Sequence, residues 1–264
     1  MLELYHHGTS VCAAKPRILL FEKGIEWISR YVDILAGEQF KPEYMKLNPK
    51  AVVPTLVHDG KVIRESTVIC EYLDEVFPNP PLKPADAYGR AQMRLWTKRM
   101  DEEIHPATTP ITYAISHRHM VISHGSKVVE EYINKMGPVA AVKRRRRIEL
   151  GVEDEDAIAG LKVYRQFFAD LEAALSNSKW LAGDMFSLAE VGVTPFINRM
   201  EMLQLSGMWE KTHPRLTEWW GRIKSRPFFE PMMYGYVPAP LRQLMTEKGK
   251  EAWPRVQEIV KAAA

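Results

Sequence analysis

Ser10 and Cys12 stand in HHGTSVCAAKP, between a short alternating segment and the start of a helical pattern. A side chain there faces the partial positive charge of a helix amino terminus. Ser10 can donate a hydrogen bond to an anion, and Cys12 can be a nucleophile whose thiol pKa is lowered. Cys12 can equally be a small buried hydrophobe. His6 and His7 can serve as bases, although histidines near a strand end more often pack or lie at the surface. In RESTV, Glu65 and Ser66 fall where a strand ends and a helix begins, so unpartnered first-turn amides suit a carboxylate and Glu65 suits an ammonium group. The plain alternative makes Ser66 an N-cap worth about 1 kcal/mol and Glu65 a surface charge. In VVPTL, Pro54 interrupts a strand pattern. Proline removes a ladder donor, so this strand lies at an edge or leaves the Val53 backbone open, where an extended peptide can add as a further strand. A cis Val53-Pro54 bond would aim the Val53 amide and carbonyl away from the sheet; an ordinary edge proline is the other reading.

These residues need elements to hold them. Leu2 to His6 reads as a strand, Pro16 to Lys23 as a helix closed by Gly24, and Glu26 to Val32 as a second strand. After a connection carrying NPKAVVP, two apolar runs flank Asp59-Gly60, a dipeptide that tolerates the positive φ of a tight hairpin. Ser66 then opens a helix in which Val68, Ile69, Tyr72, Leu73 and Val76 recur at helical spacing. The expected order is βαβ followed by ββα. FPNPPLKPAD, Phe77 to Asp86, carries four prolines in ten residues and reads as an extended linker. Helical patterns follow around Ala87 to Arg99, Asp156 to Ser176 and Leu216 to Arg226, and SLAE, Ser187 to Glu190, has the form of a capping box. The expected fold class is therefore α/β joined to all-α: domain 1–80, linker 81–87, and an all-helical domain 88–264.

A chain of 264 residues with 46% hydrophobic and 26% charged residues can bury a full core, and it contains no apolar run long enough for a membrane span. The start MLELYHHGTS lacks the features of a secretory signal, and two cysteines are too few for a disulfide framework. Both point to a cytoplasmic location. A net charge of +3 is too weak a field to predict nucleic-acid binding. The basic run Lys143 to Arg147 is followed by acidic Glu153 to Asp156 and reads as a mutually screened, solvated surface.

Taken together, GEQFKPEYMKLNPKAVVPTL, ESTVICEYL, SLAE and HPRLTEWWGRIKSRPFF resemble the cytosolic glutathione transferases over nearly the whole chain. The resemblance implies a thioredoxin-like first domain, glutathione as cosubstrate and a homodimer. It further implies a cis Pro54, a Val53 backbone that pairs with the cysteinyl part of glutathione, and Glu65 and Ser66 holding the γ-glutamyl end. Gln39 falls at the glycyl end, and Ser10 matches the thiol-activating serine of zeta-type members; Asp101 corresponds to an acid that reaches a partner subunit's glutathione. Three departures stand out: Val52 where glutamine or lysine is common, Ala13 at the serine position of the beta-type register, and no nearby tyrosine as substitute. Cys12 stays open as the activator.

HDGKVIRESTVICEYLDEVFP, INKMGP and the basic run are similar to bacterial β-etherases that cleave aryl ethers of lignin fragments. That similarity implies a hydrophobic aromatic substrate, met between the domains near Trp96, Met100, Tyr113 and His117. Helix-core packing explains the same four residues. The alternatives are a zeta-like isomerase, a dehalogenating transferase, or a non-catalytic protein that binds glutathione or hydrophobic ligands.

Overall fold

A computed structural model describes residues 1–134 and 137–262, so Lys135 and Met136 of INKMGP lie outside the described residues. The chain divides into two compact units: Met1–Met100 with Ala174–Ile197 and Glu218–Pro238, and Asp101–Ala173 with Asn198–Thr217 and the stretch from Ala239 onward.

The first unit carries a four-stranded sheet of order β2-β1-β3-β4, formed by β1 (Leu2–His6), β2 (Ile28–Tyr31), β3 (Thr55–His58) and β4 (Lys61–Arg64). β1 runs parallel to β2 and antiparallel to β3, and β3 pairs antiparallel with β4. The β3-β4 turn puts both Asp59 and Gly60 at positive φ, as the Asp-Gly dipeptide requires. Helix α1 (Val11–Glu22) begins five residues before the proline-based expectation, because Ser10 caps it and Pro16 sits inside. Its end is as read: Gly24 has φ +62, and the Gly24 and Ile25 amides return to the carbonyls of Phe21 and Leu20 in a Schellman closure.

Helix α2 (Pro42–Leu47) and a short 3₁₀ turn at Glu38–Phe40 occupy the connection after β2, where no helix is legible in the spacing. Helix α3 (Ser66–Val76) buries Ile69, Cys70 and Leu73, whereas Val68 and Val76 of the expected apolar spacing are exposed. At its carboxyl end Asp74 forms a buried ion pair with Lys23 at 2.7 Å. The same ammonium donates to the carbonyls of Phe77 and Pro80, and Asp74 accepts from the Leu82 amide. One buried pair thus ties α1, α3 and the proline-rich linker together. Helix α4 (Ala87–Arg99) follows the linker and is capped by Asp86, whose carboxylate accepts from the Gly89 amide at 2.8 Å.

The second unit is built mostly of helices. α5 (His105–Thr112), α6 (Arg118–Ser123), α7 (Ser126–Asn134), α8 (Pro138–Leu150) and α9 (Glu155–Ala174) follow in order, with π-helical turns at Met100–Ile104 and Tyr113–His117. α9 presents Leu161, Tyr164, Phe168 and Leu171 to the core. Its Gly160 lets the backbone of α5 approach, since a Cβ there would lie 2.7 Å from the Ala107 carbonyl oxygen. Tyr164 meets Thr108 through their hydroxyls at 2.7 Å. The basic run lies on α8 and is matched by acids: Arg146 pairs with Asp154 at 2.5 Å, Arg147 with Asp156 at 2.9 Å, and Arg145 with Glu130 at 2.7 Å.

α10 (Leu188–Met202) starts at the predicted capping box. Glu190 accepts from both the amide and the hydroxyl of Ser187, each at 2.9 Å, while the Ser187 hydroxyl accepts from the Ala189 amide. The remaining helices are α11 (Pro214–Lys224), α12 (Phe229–Met233) and α13 (Ala239–Ala262). No helix among the described residues is long and apolar enough to cross a membrane.

Candidate active site

The site grows from the amino end of α1. The Ser10 hydroxyl oxygen accepts from the Ala13 amide at 3.1 Å, and the Ser10 amide donates to the His7 carbonyl at 3.2 Å. Capping uses an oxygen lone pair, so the hydroxyl proton stays available for donation, which is the capability a bound thiolate needs. Cys12 lies in the first turn of the same helix and is half-buried. Ala13 is fully buried and cannot supply a hydroxyl.

Val53 is brought against that turn. It shares a small apolar cluster with Ala13, Val32 and Tyr44. The Val53-Pro54 bond is cis, as the resemblance implies. The β3 ladder begins at Thr55, and among the described residues neither the Val53 amide nor its carbonyl enters a hydrogen bond. A backbone donor and acceptor beside the capped end of α1 form a docking edge for an extended peptide.

The loop that presents this edge is held by residues the sequence reading passed over. The Tyr44 hydroxyl and the Asn48 amide both donate to the Val52 carbonyl, at 2.6 and 2.9 Å, and both contact the Thr55 hydroxyl. Tyr44, Asn48 and Thr55 are all buried. The clue was an asparagine opening NPKAVVP, since its side chain can bond neighbouring backbone groups; it also accepts from the Lys50 amide.

The amino end of α3 carries the next two candidates. Ser66 is its first residue rather than its cap, is buried, and its hydroxyl enters no hydrogen bond among the described residues. Glu65 is the N-cap, with φ +66 and no capping bond from its side chain. A non-glycine residue in that region is held at a cost of about 1–3 kcal/mol, and such residues cluster at ligand clamps. The Glu65 carboxylate holds the Lys50 ammonium at 2.7 Å, which demonstrates in this chain the ability to hold an ammonium group. Gln39 sits in the 3₁₀ turn, where its side-chain amide donates to the Ile34 carbonyl at 3.1 Å and its carbonyl oxygen is buried without a partner. Of the sequence candidates, Ser10 and Val53 are thus joined through the Ala13 cluster and Glu65 and Ser66 through α3, while Gln39 is turned into its own loop.

His6 and His7 are buried structural groups. The His6 Nε2 lies 2.7 Å from the Ser29 hydroxyl, and the His7 Nδ1 lies 2.9 Å from the Thr9 hydroxyl. Burial, followed by the charge of Arg17, pushes the His6 pKa down from 6.5 to about 3. Because the folded value lies below the unfolded one, this group contributes stability above pH 6.5 that is lost as the pH falls towards 3. Unfolding free energy measured by urea titration should therefore decline across that window, by at most ~1.4 kcal/mol per pH unit for one proton. The slope should flatten in His6→Gln; an equal slope in both proteins contradicts the assignment.

With the geometry in view, comparison with known proteins decides the family. Residues 9–76 match the family model of the Glutathione S-transferase N-terminal domain, and residues 140–222 that of the C-terminal domain. Protein LigF of Sphingobium sp. (strain NBRC 103272 / SYK-6) is 35% identical over 240 residues, 88% of this chain and 92% of LigF. The chain belongs to the glutathione S-transferase family.

The crystal structure of Beta-etherase LigF superposes on this transferase with a TM-score of 0.76 at 34% identity, covering 89% of this chain and 99% of that one. A second relative, the tetrachloro-p-hydroquinone reductive dehalogenase of Sphingobium chlorophenolicum, is 30% identical over 87% of this chain and 94% of its own. Family membership makes glutathione the cosubstrate of this transferase. The residues present fit that tripeptide: the Val53 edge suits its peptide backbone, the amino end of α3 suits a carboxylate, and Glu65 suits an amine.

Proposed function

We propose that this glutathione transferase cleaves β-aryl ethers of lignin-derived aromatic ketones, with residues 1–80 binding glutathione and the region from residue 88 onward binding the aromatic electrophile. The observation that carries the reading is the likeness to LigF along 88% of the chain, with 92% of LigF covered. In this account the main-chain groups of Val53, placed by Pro54, pair with the cysteinyl unit, Ser66 and the α3 amides hold the γ-glutamyl carboxylate, and Glu65 takes its ammonium in exchange for Lys50. Gln39 reaches the glycyl end after leaving the Ile34 carbonyl. The working unit is a homodimer in the cytoplasm.

Ser10 does the chemical work as a donor. A thiol with an ordinary pKa near ~8.5 is only a few per cent ionised at neutral pH. A hydrogen bond from the Ser10 hydroxyl, added to the positive end of α1, lowers that pKa by about one to two units, roughly 1.4 to 2.8 kcal/mol. The thiol proton passes to solvent. The sulfur then forms a bond to the carbon bearing the aryloxy group beside the ketone, and the C–O bond breaks with its electron pair leaving as a phenolate.

The likeness to the dehalogenase favours a second reading, in which the same sulfur attack expels halide from a chlorinated aromatic compound. Product analysis with glutathione separates the two. Phenol release from a model β-aryl ether ketone, with a glutathione thioether of the ketone as coproduct, is the expected result. Chloride release from chlorinated hydroquinones with the ether left intact would replace the first reading by the second.

A further inference from the structure

Arg17 lies in α1 and is fully buried. Its Nε and Nη2 donate to the Met232 carbonyl at 3.2 and 3.1 Å, and Nη2 also donates to the Gly8 carbonyl at 3.3 Å. Its Nη1 donates to the His7 carbonyl at 2.9 Å and to the His6 Nδ1 at 3.3 Å. A guanidinium has five N–H donors, and all are used here. This also fixes His6 as the tautomer whose Nδ1 accepts. The Tyr236 ring covers the cation at 5.2 Å, and its segment sits so close to the turn that a Cβ on Gly8 would overlap the Tyr236 carbonyl.

None of the four acceptors is a carboxylate, so a full positive charge sits in low-dielectric surroundings, countered only by dipoles. The titratable groups around it are His6 and His7 from the end of β1, Tyr31 from β2 and Tyr236. Carboxylates of the same unit are engaged elsewhere: Asp33 lies 3.8 Å from the His7 Nε2, Glu22 holds Arg226, and Asp74 holds Lys23. Two of the gripped carbonyls, on His7 and Gly8, belong to the turn that ends in Ser10, and the His7 carbonyl also accepts the Ser10 amide.

We propose that Arg17 is a positioning residue for thiol activation: it clamps the 7–10 turn so that Ser10 keeps its pose, and its buried charge, paired with no carboxylate, favours thiolate over thiol at that hydroxyl. The inference rests on Ser10 being the thiol-activating residue. A structural role alone would move stability and leave the ionisation of bound glutathione untouched.

The test is ultraviolet titration of the glutathione thiolate bound to the full chain, in wild type, Arg17→Met, Arg17→Lys and Ser10→Ala. Arg17→Met should raise the bound thiol pKa by about one unit, a tenfold loss of thiolate at neutral pH, with glutathione KM within about twofold of wild type. Arg17→Lys, which keeps the charge with fewer donors, should show less than half that shift. A folded Arg17→Met with an unmoved thiol pKa overturns the proposal, and so does an Arg17→Lys shift as large as that of the methionine variant. Should the methionine variant not fold, the lysine variant decides: a pKa within about 0.3 unit of wild type supports the role of charge, and a shift equal to that of Ser10→Ala overturns it. Failure of the underlying reading is separately visible, since Ser10→Ala would then leave the thiol pKa where it is in wild type.

Discussion

Replacing Ser10 with alanine should lower turnover at pH 7 by about 10- to 100-fold while changing glutathione KM little. The hydroxyl oxygen accepts from the Ala13 amide at 3.1 Å, which holds the side chain at the helix end and leaves its proton for donation. Without that donor the thiol pKa returns towards its solution value, and the fraction ionised at neutral pH falls by the same factor. The deficit should therefore shrink as the pH is raised past ~8.5, where the free thiol ionises unaided. Loss of the cap carries its own cost of about 1 kcal/mol in stability, which denaturant titration measures separately. Steady-state kinetics from pH 6 to 10 check the claim. A deficit that persists unchanged at high pH, or unaltered kinetics, would move the role to another group, with Cys12 in the same turn the first to examine.

The largest effect on stability is expected at Asp74. Asp74→Ala leaves the Lys23 ammonium buried with only the Phe77 and Pro80 carbonyls, and it also frees the Leu82 amide. Removing one partner of a buried pair costs about 3–5 kcal/mol, because the other charge stays desolvated. Lys83, 3.4 Å from the carboxylate, is a second cation and cannot replace the lost charge at Lys23. The double variant Lys23→Met with Asp74→Leu should recover a large part of the loss, since neither charge is then stranded. Urea denaturation of the single and double variants measures both quantities. A single variant within about 1 kcal/mol of wild type would show that water reaches Lys23.

Much of the fold was legible because its signals are local. The Asp59-Gly60 turn, the span Ala87–Arg99 and the Ser187–Glu190 box depend on residues within a few positions of one another, and each appears in the structure as read; of the apolar spacing of α3, Ile69 and Leu73 are buried while Val68 and Val76 stay exposed. α1 begins at Val11 rather than at Pro16, because the Ser10 cap sets its start and Pro16 is accommodated inside its first turns. α2, of six residues, and the 3₁₀ turn, of three, are too short to carry a periodicity in the sequence. The site was legible as residue types, while its assembly was not. Val53 meets Ala13 across 40 residues of chain, and the Tyr44, Asn48 and Thr55 bracket depends on tertiary contact. Arg17 was invisible for the same reason: its partners at Met232 and Tyr236 lie more than 200 residues away.

Thiol activation at Ser10 requires the tripeptide to dock along the Val53 main chain with its sulfur at that hydroxyl. A crystal structure of the chain with glutathione measures this directly. The predicted result is a pair of hydrogen bonds between the cysteinyl unit and the Val53 amide and carbonyl, a γ-glutamyl carboxylate on Ser66, and the sulfur within hydrogen-bonding distance of the Ser10 hydroxyl. A tripeptide bound away from Val53, or a sulfur whose nearest donor is any group other than the Ser10 hydroxyl, would contradict it.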